Sequence, residues 1–118
     1  MKYMLLIYDN EQDLAKLSKS EMEKLYGEYF RFTNEIKASG NYIAGDPLQP
    51  VHTATTVRVR NGKVTMTDGP FAETREQLGG YYLIEAADLD EATKIAARIP
   101  SARIGSIEVR PVQILDMG

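Results

Sequence analysis

The chain has no cysteine and a single histidine among its 118 residues. The first absence excludes disulfides, thiolate nucleophiles and thiolate-ligated zinc or iron–sulfur centres. The second leaves His52 as the one imidazole, too few for a histidine-rich metal site, so no metal or other cofactor is expected. Long apolar runs are missing as well. The longest near the start, Tyr3 to Tyr8, is far shorter than a signal h-region or a membrane span. No membrane contact is therefore expected, and a cytoplasmic location is the default. An excess of basic charge is also lacking. The net charge is −3, whereas nucleic-acid binding calls for a basic face. Arg58, Arg60 and Lys63 do gather at one hairpin tip, but no aromatic residues interleave with them and they read as a solvated face. Internal repeats, low-complexity segments and linkers are absent, so residues 1–118 are expected to form one domain.

What is present argues for an ordered globule, with 43% hydrophobic and 26% charged residues. A chain of this mass exposes roughly 6,400 Å² when compactly folded and about 19,000 Å² when unfolded. The core is real but modest, and burial against a second copy would add to it.

Lys2 to Tyr8 reads as a strand with Tyr3, Leu5 and Ile7 on one face and Met4, Leu6 and Tyr8 on the other. A strand apolar on both faces needs cover on both. Helices of the same domain cover one, and a second subunit is the expected cover for the other. Asp9 to Leu17 reads as a loop with a short helical turn. Ser20 with Glu23 fits a capping box, and Met22, Leu25, Tyr26, Tyr29, Phe32, Thr33 and Ile36 follow at helical spacing until Gly40. This stripe is expected to be core. Asn41 to Asp46 is extended, then broken by Pro47 and Pro50.

Thr53–Arg60 and Lys63–Asp68 flank Asn61-Gly62, the signature of a type I′ hairpin. A two-residue turn fixes the register: Arg60 opposite Lys63, Val59 opposite Val64, Val57 opposite Met66, Thr55 opposite Asp68. Gly79 to Ala86 is a further strand with large residues on both faces. Asp88 caps the next helix, with Leu89, Ala92, Ile95, Ala96 and Ile99 as its buried stripe and Pro100 as its end. Ile104 to Leu115 closes the order as an edge or bulged strand because of Pro111. The sum is an α+β, ferredoxin-like βαββαβ core with an inserted hairpin and an antiparallel sheet covered by helices on one face.

Alternation puts Asp68 on the side of Val57, Val59, Val64 and Met66. A carboxylate there would lose hydration and rise in pKa, the property of a general acid or base. The plainer reading is that Asp68 only shapes the Asp-Gly-Pro turn. His52, in Pro50-Val51-His52-Thr53, precedes the strand whose Thr55 faces Asp68, so the two are candidates for a catalytic pair; an exposed loop histidine is the alternative. Arg75 is a candidate for an anionic substrate, though Glu73 and Glu76 beside it suit an ordinary ion-paired loop. Tyr8, Tyr81 and Tyr82 are candidate substrate-binding phenols that would otherwise be core. Gly79-Gly80 enters a strand and is no phosphate loop.

The block DGPFAETREQLGGYYLIEA (68–86) resembles the DGPF members of the YCII-related family. So, in order along the chain, do MKYMLLIY (1–8), TATTVR (53–58), DLDEA (88–92) and EVRP (108–111). The resemblance implies a homodimeric α/β barrel joined through the open sheet face. It also implies a cleft where a histidine–aspartate pair is the proposed catalytic centre, here Asp68 and, more loosely, His52. Some relatives take part in degradative lyase chemistry, and DGPF relatives are often encoded beside extracytoplasmic-function sigma factors. Two functions follow as expectations. One is a cofactor-independent lyase or isomerase acting by proton transfer on a small polar or aromatic acid. The other is a non-catalytic dimeric ligand binder tied to regulation. A heme-dependent or cofactor-free oxygenase is a poorer third, since one histidine offers one axial ligand.

Overall fold

A computed structural model describes residues 1–116. The first strand, β1 (Lys2–Asp9), is central, and its alternation is that of the sequence: Tyr3, Leu5, Ile7 and Asp9 are buried while Met4, Leu6 and Tyr8 are half-buried on the opposite face. After the short α1 (Glu11–Leu14) comes α2 (Lys19–Ala38), followed by β2 (Tyr42–Pro47). A 3₁₀ turn at Val51–Thr53 leads into β3 (Thr55–Arg60) and β4 (Lys63–Asp68). The chain then returns as β5 (Gln77–Glu85), α3 (Leu89–Ala96), a second 3₁₀ turn at Pro100–Arg103 and β6 (Ser106–Pro111). The four-stranded sheet runs β2-β5-β1-β6, all antiparallel. This is the ferredoxin-like order with β3 and β4 inserted as a separate two-stranded sheet.

The core lies between the sheet and the helices. Tyr3, Leu5 and Ile7 of β1 meet Tyr82 and Ile84 of β5, Phe32 and Ile36 of α2, and Ala92, Ile95 and Ala96 of α3. Each fully buried aliphatic side chain contributes about 1.5–3 kcal/mol. Phe32 meets Tyr82 edge-on, with centroids 5.2 Å apart.

Four expectations are corrected. The capping box is Ser18 with Glu21, two residues before Ser20 and Glu23. Both pairs fit the pattern, and the earlier one adds half a turn to the helix. Only Phe32 and Ile36 of the α2 stripe are buried; Tyr26 is 56% exposed, because the first half of α2 stands away from the sheet edge. Leu89 is exposed, since as the first residue of α3 it precedes the turn that meets the sheet. The last strand is Ser106–Pro111, as Pro100–Arg103 forms a 3₁₀ turn before it and Pro111 ends the ladder.

The hairpin register is as read. Thr55 lies opposite Asp68 and Val57 opposite Met66, and Asn61 and Gly62 both adopt positive φ. What differs is its setting. The hairpin stands off the main sheet, and Val57, Val59, Val64 and Met66 are each more than half exposed. The molecule is accordingly flat, with extents of 50 × 48 × 18 Å.

Candidate functional site

Because the first half of α2 stands off the sheet, a cleft of about 910 Å³ opens between that helix and the β2–β5 edge. This lies within the range of small-molecule sites. Met22, Leu25, Tyr26 and Phe30 of α2 line one wall, and Gly45, Pro47 and Leu48 line the other. Tyr29, Thr33, Tyr82, Asp9, Ser101 and Gln77 contribute polar atoms at one end, and Glu11, Asn34, Lys37 and Asp46 also line it.

A bulge sets that polar end. Opposite β1, the register of β5 shifts between Ile7 and Tyr8, so Ile7 pairs with Gly80, Tyr8 with Leu78 and Asp9 with Gln77. Bulges re-aim side chains in this way. Here Asp9 continues the buried alternation of Tyr3, Leu5 and Ile7, where a carboxylate stands in an apolar position. It is 8% exposed. Oδ2 accepts from Ser101 Oγ at 3.0 Å, and Oδ1, buried, has no hydrogen-bond partner among the described residues. Ser101 Oγ lies 2.5 Å from the Tyr29 hydroxyl. Since Ser101 gives its proton to Asp9, Tyr29 is the donor in that contact, and the chain reads Tyr29 to Ser101 to Asp9. Thr33 and Tyr82 join hydroxyls beside it at 2.7 Å.

Gly105 makes the arrangement fit. A Cβ there would lie 2.1 Å from the Tyr8 carbonyl oxygen and 2.7 Å from Asp9 Oδ1. Only glycine lets the chain entering β6 pass so near the carboxylate.

Burial pushes the Asp9 carboxyl above its ordinary value; the Ser101 hydrogen bond opposes this and the nearby Glu76 charge adds to it. Burial likewise takes the Tyr29 phenol up to about 12, so it remains a donor at neutral pH. Tyr82 is raised by burial too, against its bond to Thr33. A carboxylate perturbed by desolvation in a cleft is a candidate for acid–base work.

The residues singled out from sequence fall in different places. Tyr82 lines the cleft. Tyr8 and Tyr81 alternate onto the other sheet face, and the Tyr81 hydroxyl donates to Asp46 at 3.0 Å. Arg75 is exposed beside a smaller hollow that Asn10, Glu11 and Val51 also line; its carbonyl accepts from the Asn10 amide. Asp68 and His52 are both exposed, so the desolvated setting expected for Asp68 is not present in the single chain. The Gly69 N–H donates to the Ala54 carbonyl at 2.7 Å, which draws the two ends of the hairpin together. No hydrogen bond or ion pair joins His52 to Asp68 among the described residues. Nor do three His, Cys, Asp or Glu side chains gather among those residues as a metal ligand set.

Asp9 and Ser101 were missed. Ending the first strand at Tyr8 hid the signal for Asp9, since one more residue continues the buried alternation. Ser101 carries no local signal; its burial comes from tertiary packing.

The model of the YCII-related domain matches residues 1–116. An uncharacterized protein of Rhizobium meliloti (strain 1021) is 37% identical over 120 residues, covering 100% of this chain and 97% of that protein. Among solved structures, the chain is similar to 5-chloro-2-hydroxyhydroquinone dehydrochlorinase from Burkholderia phenoliruptrix AC1100 in complex with 2,5-dihydroxybenzoquinone. That likeness has a TM-score of 0.56 at 15% identity and covers 96% of this chain and 94% of the other. At such identity the likeness is one of fold alone.

Proposed function

The chain belongs to the YCII-related domain family, and from that premise we propose that it is a homodimeric, cytoplasmic small-molecule enzyme whose substrate occupies the cleft under α2. The reaction is a proton transfer of the lyase or isomerase kind. One observation carries this reading: an aromatic-walled cleft of about 910 Å³ leads to a buried carboxylate hydrogen-bonded by Ser101, which in turn meets the Tyr29 hydroxyl. Apolar walls with a few convergent polar groups suit a small, flat, mostly apolar molecule. The dehydrochlorinase of similar fold acts on a molecule of that size, which agrees with the reading at the level of fold alone.

Amide chemical-shift mapping with a library of small aromatic acids and phenols tests the site. Perturbations are expected at Tyr29, Thr33, Gly45, Gly79 and Tyr82. Perturbations confined to the β3–β4 hairpin would move the site there and overturn the cleft reading.

The dimer belongs to the same proposal. The chain exposes 8626 Å², roughly 2,200 Å² more than a compact chain of its mass. A standard interface needs about 800 Å² from each partner. The open face of the sheet carries Met4, Leu6, Tyr8 and Leu83, all half-buried, while the helices cover the other face, and it is the face this reading assigns to the partner. Among the described residues no helix is long and apolar enough to cross a membrane.

A second reading, a dimeric binder without turnover in a regulatory setting, is favoured by the exposure of Asp68 and His52. Turnover of a ligand bound in the cleft separates the two, and Asp68→Asn with His52→Ala asks whether that exposed pair has any part in it. If that pair is catalytic, either substitution abolishes turnover of a bound ligand. If the protein only binds, affinity without turnover survives both.

A further inference from the structure

Asp9 is a buried carboxylate with one oxygen engaged and one without a partner. Among the described residues no cation pairs with it. Glu76 beside it accepts from Ser106, Glu11 at the cleft accepts from the Val51 N–H, and Asp46 accepts from Tyr81. Lys37 lies over the Tyr42 ring, and Arg103, on the same 3₁₀ turn as Ser101, is paired with Glu28. A fold gains no stability from such a group. Burying an unpaired carboxylate costs free energy, and an apolar residue would complete the β1 alternation instead. Its retention at the end of a cleft, wired to two hydroxyls, fits a chemical task.

We propose that Asp9 is the proton store of this cleft, taking a proton from and returning it to a bound molecule through Ser101 and Tyr29. The molecule carries a weakly acidic hydroxyl on a flat apolar body. This rests on the cleft reading above. In the forward direction the ligand hydroxyl gives its proton to the Tyr29 oxygen as Tyr29 gives its own to Ser101 Oγ, and Ser101 gives its own to Asp9 Oδ2. The ligand becomes an oxyanion and Asp9 a neutral acid, so charge balances and no other reactant is needed. Reversal returns the proton once the ligand has rearranged. Tyr29 touches the ligand; Ser101 and Asp9 act through it. The walls set the ligand class: Tyr26, Phe30, Leu25 and Met22 suit a ring, and the hydroxyl cluster suits one polar group at its end.

The test uses 4-nitrophenol as probe with the full-length protein, following affinity by amide shifts from acid to mildly alkaline pH. Asp9 accepts only as a carboxylate, and the probe donates only while protonated. Wild-type affinity is therefore expected to rise through the Asp9 titration and to fall where the probe ionises. Across the acid limb the change is up to about tenfold, the worth of one neutral hydrogen bond, since the probe meets the Tyr29 oxygen and feels the Asp9 charge only through the two hydroxyls. Asp9→Asn removes the acid limb and leaves the alkaline one. Ser101→Ala does the same with Asp9 in place, so the test survives if the first variant fails to fold. The carbon-13 shift of the Asp9 carboxyl follows the same midpoint in the wild type. An acid limb that persists in either variant, with the probe still in the cleft, overturns the relay and leaves the cleft reading standing. A probe that perturbs only amides elsewhere, or none at saturation, overturns the cleft and the relay together.

Discussion

At the residue scale, Asp9 makes a prediction that needs no ligand. Its carboxyl titrates above the ordinary 3.8 in the folded protein. The folded state therefore holds more protons than the unfolded one in a window that begins near 3.8 and ends at the raised value. Stability is fully present below that window and falls as pH rises through it. Urea denaturation of the wild type against Asp9→Asn at stepped pH is expected to show that decline in the wild type alone; a constant difference between the two would refute the raised carboxyl. Ser101→Ala strips the Tyr29 hydroxyl and Asp9 Oδ2 of their shared partner, at a cost of about 1–3 kcal/mol by the same denaturation. Gly105→Ala is expected to cost as much or more, about 1–3 kcal/mol for overpacking, since the atom met first is the Tyr8 carbonyl oxygen rather than a movable side chain. A variant as stable as wild type would mean the approach is looser than described. These residues show unequal legibility. Asp9 was readable from period-two alternation carried one residue further. Ser101 was not, because a serine after a proline looks alike in a loop or a core.

At the element scale, local chemistry was readable where it is short-ranged. Asn61-Gly62 dictated the hairpin register because both residues need positive φ, and every predicted pair is present. Asp88 caps α3 by accepting from the Glu91 N–H at 2.9 Å, as the sequence proposed. The α2 cap was ambiguous, since Ser18-Glu21 and Ser20-Glu23 fit one pattern. The structure selects Ser18, whose oxygen accepts from the Glu21 N–H at 3.1 Å. Ser18→Ala is therefore expected to lower stability by about 0.5–2 kcal/mol, with Ser20→Ala close to neutral; thermal unfolding of both checks it, and the reverse order would restore the later cap. The α2 stripe shows the opposite case. Helical spacing marked an apolar face but not what it meets, and half of that face lines a cleft rather than a core.

For the whole molecule, the flat outline and the half-buried open face both point to a second copy. Its radius of gyration is 16.5 Å, against about 13.5 Å for a compact domain of this length. Light scattering is expected to give twice 13.2 kDa. Leu83→Arg places a charge between Met4 and Ala44 on the open face; it should leave a folded monomer by circular dichroism, and a persistent dimer would relocate the interface. The sequence by itself determined the βαββαβ order, the inserted hairpin with its register, and the need for cover on both faces of β1. Those follow from periodicity and turn chemistry, which act over a few residues. Only the tertiary structure decided where the polar residues of the site meet. Asp9, Tyr29 and Ser101 lie far apart in the chain, and the packing of the second 3₁₀ turn against both α2 and β1 brings them together. Tertiary packing likewise left Asp68 and His52 in solvent, because a hairpin's register fixes which strand residues pair but not what the hairpin itself packs against.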